Sequence, residues 1–177
     1  MNLVITGGAG FLGQQLIRAL LARGALEVSD RGAAQPIESI TCFDQVEGAL
    51  LDARVRNVAG DIADTDTVAR LIDGHTRAVI HLAAVVSGTA EADFDLGMRV
   101  NVDGTRAVLE ACRHAGACPR VVFSSSVAVF GGDLPAVVDD AVAPTPQGSY
   151  GVQKLIGEWL DRKSTTSGLQ SPYVISY

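Results

Sequence analysis

The sequence predicts an α/β protein with one doubly wound parallel sheet between helical layers, a three-layer α/β/α arrangement. Three observations carry this. Short apolar runs, the first being Leu3-Val4-Ile5, alternate along the chain with segments of helical periodicity. Hydrophobic residues make up 47% of the chain and mean hydropathy is +0.25, as strands buried on both faces require. A length of 177 residues is enough to bury one core.

In order, residues 2–5 read as a buried strand. Residues 11–23 read as a helix, with Leu12, Leu16, Ala19 and Leu20 at helical spacing and Gly24 as its stop. Residues 25–38 contain Gly32 and Pro36 and read as an irregular loop insertion. Strands are expected at 40–43, ending at Asp44, and at 54–58, leading into Gly60-Asp61. A helix at 65–72 precedes Gly74, a strand covers 78–82, and a long helix spans 93–115 before Gly116. A strand at 120–123, a helix at 149–162 and a strand-like segment at 173–177 complete the pattern. Strands alternating with helices predict right-handed crossovers and a parallel sheet, in the doubly wound order 3-2-1-4-5-6. Composition shifts near Asp161, so residues 1–160 are expected to form a cofactor domain and 161–177 a divergent tail with a sixth strand.

Charge and cysteines narrow the function. A net charge of −6 with no basic cluster argues against nucleic acid and acidic membrane surfaces. No apolar run approaches the ~18 residues of a membrane helix. Cys42, Cys112 and Cys118 form no CxxC pair and no metal-ligand set, and the chain opens straight into a strand. A reduced, cytoplasmic protein without a metal is expected.

Between the first strand and the first helix lies Gly7-Gly8-Ala9-Gly10-Phe11-Leu12-Gly13. Such a loop suits a dinucleotide pyrophosphate. Gly7 permits the tight turn, Gly10 lets backbone approach the phosphates, and Gly13 lets the helix pack against the strand. The helix N-terminus then offers free N–H groups to the anion. This context makes the chain a Rossmann-type nucleotide binder. An acidic residue at the end of the second strand should hold the adenosine ribose. Asp44 fills that place, with Asp30 as competitor, and a carboxylate there favours NAD over NADP. Asp61 is placed to accept from the adenine amino group with Ile62 against the ring, or else to cap a helix.

Tyr150 and Lys154 are four residues apart on a helix and share a face. A tyrosine is a poor base at neutral pH, and a neighbouring ammonium favours its phenolate. Ser126 follows the fifth strand, at the carboxyl edge where ligands sit in such sheets. The chain has two lysines, Lys154 and Lys163, so the placement of Lys154 is informative.

These segments resemble the extended short-chain dehydrogenase/reductase family, which includes NDP-sugar epimerases and dehydratases. The resemblance rests on Thr6–Gly13, Gly60-Asp61-Ile62, His81-Leu82-Ala83-Ala84, Asn101-Val102-Asp103-Gly104-Thr105, and Ser124-Ser125-Ser126 with Tyr150 and Lys154. It implies NAD as cofactor, Tyr150 as acid/base, Lys154 as its partner and Ser126 as the hydroxyl that orients substrate. It also implies that Phe11, Leu12, Leu82, Ala83, Ala84, Asn101 and Ser124 line the cofactor together with Tyr150 and Lys154. On its own residues Asn101 reads rather as structural, and His81 as packing at a strand end rather than catalysis. Within the family, residues 81–106, 125–140 and 146–154 are similar to members that oxidise the 2-hydroxyl of a small sugar acid. Phe130-Gly131, where sugar-nucleotide epimerases carry Tyr-Gly, points the same way. An NDP-sugar epimerase or dehydratase and a non-catalytic NAD-binding redox sensor stand as alternatives. Members run to about twice this length, so a C-terminal substrate domain is expected to be absent and the short form inactive. Helices 93–115 and 149–162 form a dimer interface in members, which implies a homodimer.

Overall fold

The computed structural model describes residues 1–27, 32–166 and 173–175. Its strands and helices run in the order β1 Asn2–Thr6, α1 Phe11–Arg23, β2 Ala25–Leu26, β3 Gln35–Pro36, β4 Ser39–Asp44, β5 Val55–Ala59, α2 Thr65–Leu71 and β6 Thr76–His81. There follow α3 Ser87–Ala92, α4 Phe94–Gly97, a π turn at Met98–Asp103, α5 Gly104–His114, β7 Arg120–Ser124, a 3₁₀ turn at Val127–Val129, α6 Ser149–Thr166 and β8 Tyr173–Ile175.

β5-β4-β1-β6-β7-β8 form one parallel sheet among the described residues. β1 sits in the middle because it carries an uninterrupted apolar run and is buried on both faces. Its residues alternate: Leu3 and Ile5 pack with Ile17 and Leu20 of α1, while Val4 packs with Val68 of α2 and Val108 of α5. The connections from β1 to β4 and on to β5 run one way along the sheet, and the crossovers from β5 to β6, β7 and β8 run the other way. Right-handedness therefore places α1 on one face and α2, α5 and α6 on the opposite face. On the α1 face, an apolar groove of about 480 Å³ opens between the helix and β6–β7, lined by Leu12, Leu16, Leu20, Ile80, Leu82 and Val122.

Three expectations change. Residues 25–38 are not wholly irregular: β2 and β3 pair as a small antiparallel ribbon, Ala25 opposite Pro36. The helix expected over 93–115 is broken into α4, the π turn and α5, with α3 added before it. The last helix continues past Arg162 to Thr166. The sixth strand is β8, whose Tyr173 lies opposite Val122. No helix among the described residues is long and apolar enough to cross a membrane.

Candidate active site

Gly7 leaves β1 with φ +71, a left-handed conformation that favours glycine. A Cβ there would lie 2.7 Å from the Ala83 nitrogen. At Gly13 a Cβ would strike the Gly7 carbonyl and approach Gly8 Cα to 2.6 Å, so α1 lies directly on the loop. Gly10 differs from both. It caps α1 without a side-chain bond, is exposed, and a Cβ on it would meet a single protein atom within 4 Å, the Gly7 oxygen at 3.3 Å. The space above Gly10 is thus open, and the start of α1 faces it. This cradle fits a pyrophosphate. Phe11 and Leu12, on the first turn, are exposed.

Asp44, at the end of β4, is tied to this loop: its Oδ2 accepts the Ala9 N–H at 3.1 Å and its Oδ1 accepts the Gln45 N–H at 2.7 Å. Its position is set by sheet register, since Gly8 N–H also donates to Phe43 O at 3.1 Å. Asp30 lies outside the described residues. Asp61 follows β5, accepts the Ala63 N–H at 2.9 Å and pairs with Arg99 of the π turn. The Ala63 amide first, and then Arg99, hold its carboxyl below the usual carboxylate range. Ile62 turns its side chain inward, against Gly104 and the core of α2 and α5. What it offers the carboxyl edge is therefore backbone rather than an apolar side chain. Leu82, Ala83 and Ala84 leave the end of β6 half-buried, with Leu82 N–H bonded to Thr6 O at 3.0 Å.

The second cluster sits on α6. Lys154 is 3% exposed, and its Nζ donates to Ser124 O at 2.9 Å. The ammonium lies 5.1 Å from the Phe123 ring centroid and 5.9 Å from that of Tyr150. Burial pushes its pKa down from 10.5 to about 8. Ser124 Oγ donates to His81 O at 3.1 Å, which joins β7 to β6 at the same edge. Ser126 Oγ accepts the Ala128 N–H at 3.2 Å and so starts the 3₁₀ turn. Gly151 lets α6 rest on that turn, since a Cβ there would strike Ala128 O. This close approach brings the segment of Ser126 to the helix turn of Tyr150. Tyr150, half-buried, is steadied by a residue the sequence reading missed: Glu91 of α3 accepts the Tyr150 N–H at 2.9 Å. That bond holds the Glu91 carboxyl below its usual range.

Asn101 stands in the π turn, 2% exposed, with its amide fully used. Oδ1 accepts Val85 N–H at 3.0 Å, and Nδ2 donates to Val85 O at 3.1 Å and to Gln153 Oε1 at 2.8 Å. Gln153, also missed, is entirely buried and packs against Gly97, where a Cβ would come within 2.5 Å of its Nε2. Ser125, between two residues the sequence singled out, is buried and donates to Glu158 of α6. Glycine loop, Asp44, β6 end, Ser126 and the Tyr150–Lys154 pair thus share the carboxyl edge of one sheet.

Residues 3–176 match the model of the NAD dependent epimerase/dehydratase family. The chain belongs to that family. The family's NAD dependence agrees with the cofactor expected from the glycine loop. Among its relatives is D-erythronate dehydrogenase of Cupriavidus necator, 60% identical over 161 residues, an overlap of 90% of this chain and 49% of that protein. The enzyme of the same name from Haemophilus influenzae is 39% identical over 175 residues, 99% of this chain and 53% of that one. Among solved family structures, a nucleoside-diphosphate-sugar epimerase from Agrobacterium tumefaciens superposes with a TM-score of 0.88 at 37% identity, covering 99% of this chain and 51% of that one. The chain therefore spans about half the length of the curated relatives it matches.

Proposed function

We propose that these residues form the cofactor-binding part of an NAD-dependent dehydrogenase that oxidises the 2-hydroxyl of a small sugar acid, D-erythronate being the first candidate. The observation that carries the chemistry is the buried Lys154, held by Ser124 O beside the Tyr150 ring at the edge that also bears the glycine loop. The 60% identical relative supports the substrate.

In this reading, NAD supplies the hydride acceptor. Gly7, Gly10 and Gly13 shape the phosphate cradle, and the first turn of α1 with Phe11 and Leu12 borders it. Asp44 accepts from the adenosine ribose hydroxyls, and its fixed negative charge opposes a 2′-phosphate. Asp61 and the backbone of Ile62 frame the adenine, while Leu82, Ala83 and Ala84 floor the nicotinamide side. Tyr150 takes the proton of the substrate hydroxyl. An ammonium has three donors, and Lys154 spends one on Ser124 O. The others are free for ribose hydroxyls and for stabilising a Tyr150 phenolate. Ser126 hydrogen-bonds the substrate oxygen, and Asn101 keeps the turn facing α6 in place. Residues 1–160 serve as the cofactor domain.

The likeness to an NDP-sugar epimerase favours a second reading with the same catalytic residues and a larger pocket. To separate them, the chain joined to the second half of its Cupriavidus relative is assayed with NAD and D-erythronate, then with UDP-glucose. NADH formation on D-erythronate alone supports the dehydrogenase. Conversion of the sugar nucleotide alone assigns the epimerase. The 177 residues by themselves are expected to bind NAD weakly and to show essentially no turnover.

A further inference from the structure

The two clusters are joined by a row of buried polar groups that the proposed chemistry does not use. His81, the last residue of β6, is 2% exposed. Its Nδ1 lies 2.6 Å from Thr6 Oγ1 and its Nε2 lies 3.0 Å from Thr105 Oγ1. Thr105 Oγ1 is also 2.7 Å from Asn101 O, and Thr6 Oγ1 is 3.3 Å from Ala83 N.

Proton counting fixes the direction of every bond. A carbonyl accepts only, so the single hydroxyl proton of Thr105 goes to Asn101 O. Thr105 Oγ1 must then accept from His81, which requires a proton on Nε2. In a neutral ring Nδ1 is bare, so the Thr6 hydroxyl donates to it. Thr6 Oγ1 in turn accepts the Ala83 N–H. The bonds run one way, from Ala83 through Thr6, His81 and Thr105 to Asn101.

We propose that His81 is a positioning residue: as the neutral Nε2–H tautomer it links the turn after β6 and the last residue before the glycine loop to the Asn101 carbonyl, and so fixes the π turn whose Asn101 amide holds Gln153, the neighbour of Lys154. No apolar residue would serve, because the link needs an acceptor on one side and a donor on the other. An imidazolium would present a second donor to Thr6, whose hydroxyl proton would then lose His81 as its acceptor. Two features keep the ring neutral. It is buried, and the ammonium of Lys154 lies 5.1 Å from the centroid of the Phe123 ring, which stacks on His81 at 5.7 Å between centroids. Burial first, then the Lys154 charge, push the His81 pKa down to about 3. The importance of the link for turnover rests on the roles proposed above for Lys154 and the glycine loop, but its polarity is measurable without any activity.

The chain contains three histidines, so ¹⁵N-histidine labelling gives three sets of ring signals. Those of His75 and His114 are identified in His75→Gln and His114→Gln, both at exposed positions. His81 is expected to show a protonated Nε2 and a bare Nδ1, unchanged from about pH 5 to 8. Thr105→Val removes the acceptor and leaves Thr6 free to accept instead. The tautomer should then shift towards Nδ1–H, and exchange of the Val85 amide, held by Asn101 Oδ1, should quicken at least about tenfold. An Nδ1–H tautomer in the native chain, an imidazolium forming in that pH range, or a folded Thr105→Val with tautomer and Val85 exchange unaltered would each overturn the proposal. If Thr105→Val does not fold, the native tautomer decides alone. Failure of the chain to bind NAD would count against the proposed function and leave this result standing.

Discussion

The glycine loop and the α6 cluster occupy the same sheet edge but are built from different materials. The loop is backbone. Its shape follows from missing side chains at Gly7, Gly10 and Gly13 within seven consecutive residues, and its outer surface is open. The α6 cluster is made of buried side chains whose partners lie 30 to 75 residues away: Lys154 on Ser124 O, Asn101 on Gln153, His81 on Thr6. A backbone cradle is specified locally and tolerates change around it. A buried polar cluster exists once the sheet has formed, and each of its groups is costly to leave unpaired.

The division of labour implies unequal responses to substitution. The largest effect is expected at Tyr150. In the chain joined to its relative's second half, Tyr150→Phe should lower turnover about 10²–10⁴-fold, as loss of an acid/base does. Steady-state rates check this, and near-normal turnover would detach Tyr150 from the chemistry.

Next comes the buried charge of Lys154. The folded chain releases its proton near pH 8, the unfolded chain near 10.5. Between these values the unfolded state binds more protons, so stability rises with pH there. Urea unfolding of the native chain and of Lys154→Met across this range should show their difference moving by about 3 kcal/mol in favour of the native chain. A flat difference would place the ammonium in water.

A smaller contrast separates glycines within the loop. Gly13→Ala forces a methyl into the Gly7 carbonyl and should cost about 1–3 kcal/mol of stability. Gly10→Ala meets the Gly7 oxygen alone, at 3.3 Å, and should cost no more than about 1 kcal/mol. Thermal or urea unfolding of the two variants tests the order. The least effect is expected from Arg99→Ala. It removes an exposed pairing with Asp61 and should change stability by less than about 1 kcal/mol.

The same contrast explains what was legible in the sequence. Strand runs, the glycine loop, Asp44 and the Tyr150–Lys154 spacing are local patterns, and the sheet order is that of the doubly wound arrangement they indicate. The π turn was not legible, because the residues 98–103 have ordinary helical spacing and the turn coincides with a bond between a Thr105 hydroxyl and a carbonyl four residues earlier. Gln153 and Glu91 carried no local signal, because what buries the one and aims the other is the packing of α6 on α3 and α4. The β2–β3 ribbon has two residues per strand, too few for a period to register. His81 reads as packing until its two hydroxyl neighbours, 75 and 24 residues away, are seen.

The most direct test of the two-part site is calorimetric titration of NAD into the chain and into two variants. The native chain should bind NAD weakly but measurably, at least about ten times more tightly than NADP, the least discrimination expected of the Asp44 charge. Tyr150→Phe should keep that affinity within a few fold, and Gly10→Val, which fills the cradle, should lose it. Equal affinity in the native chain and Gly10→Val would show that NAD does not use the glycine loop, and the assignment of both regions would fall with it.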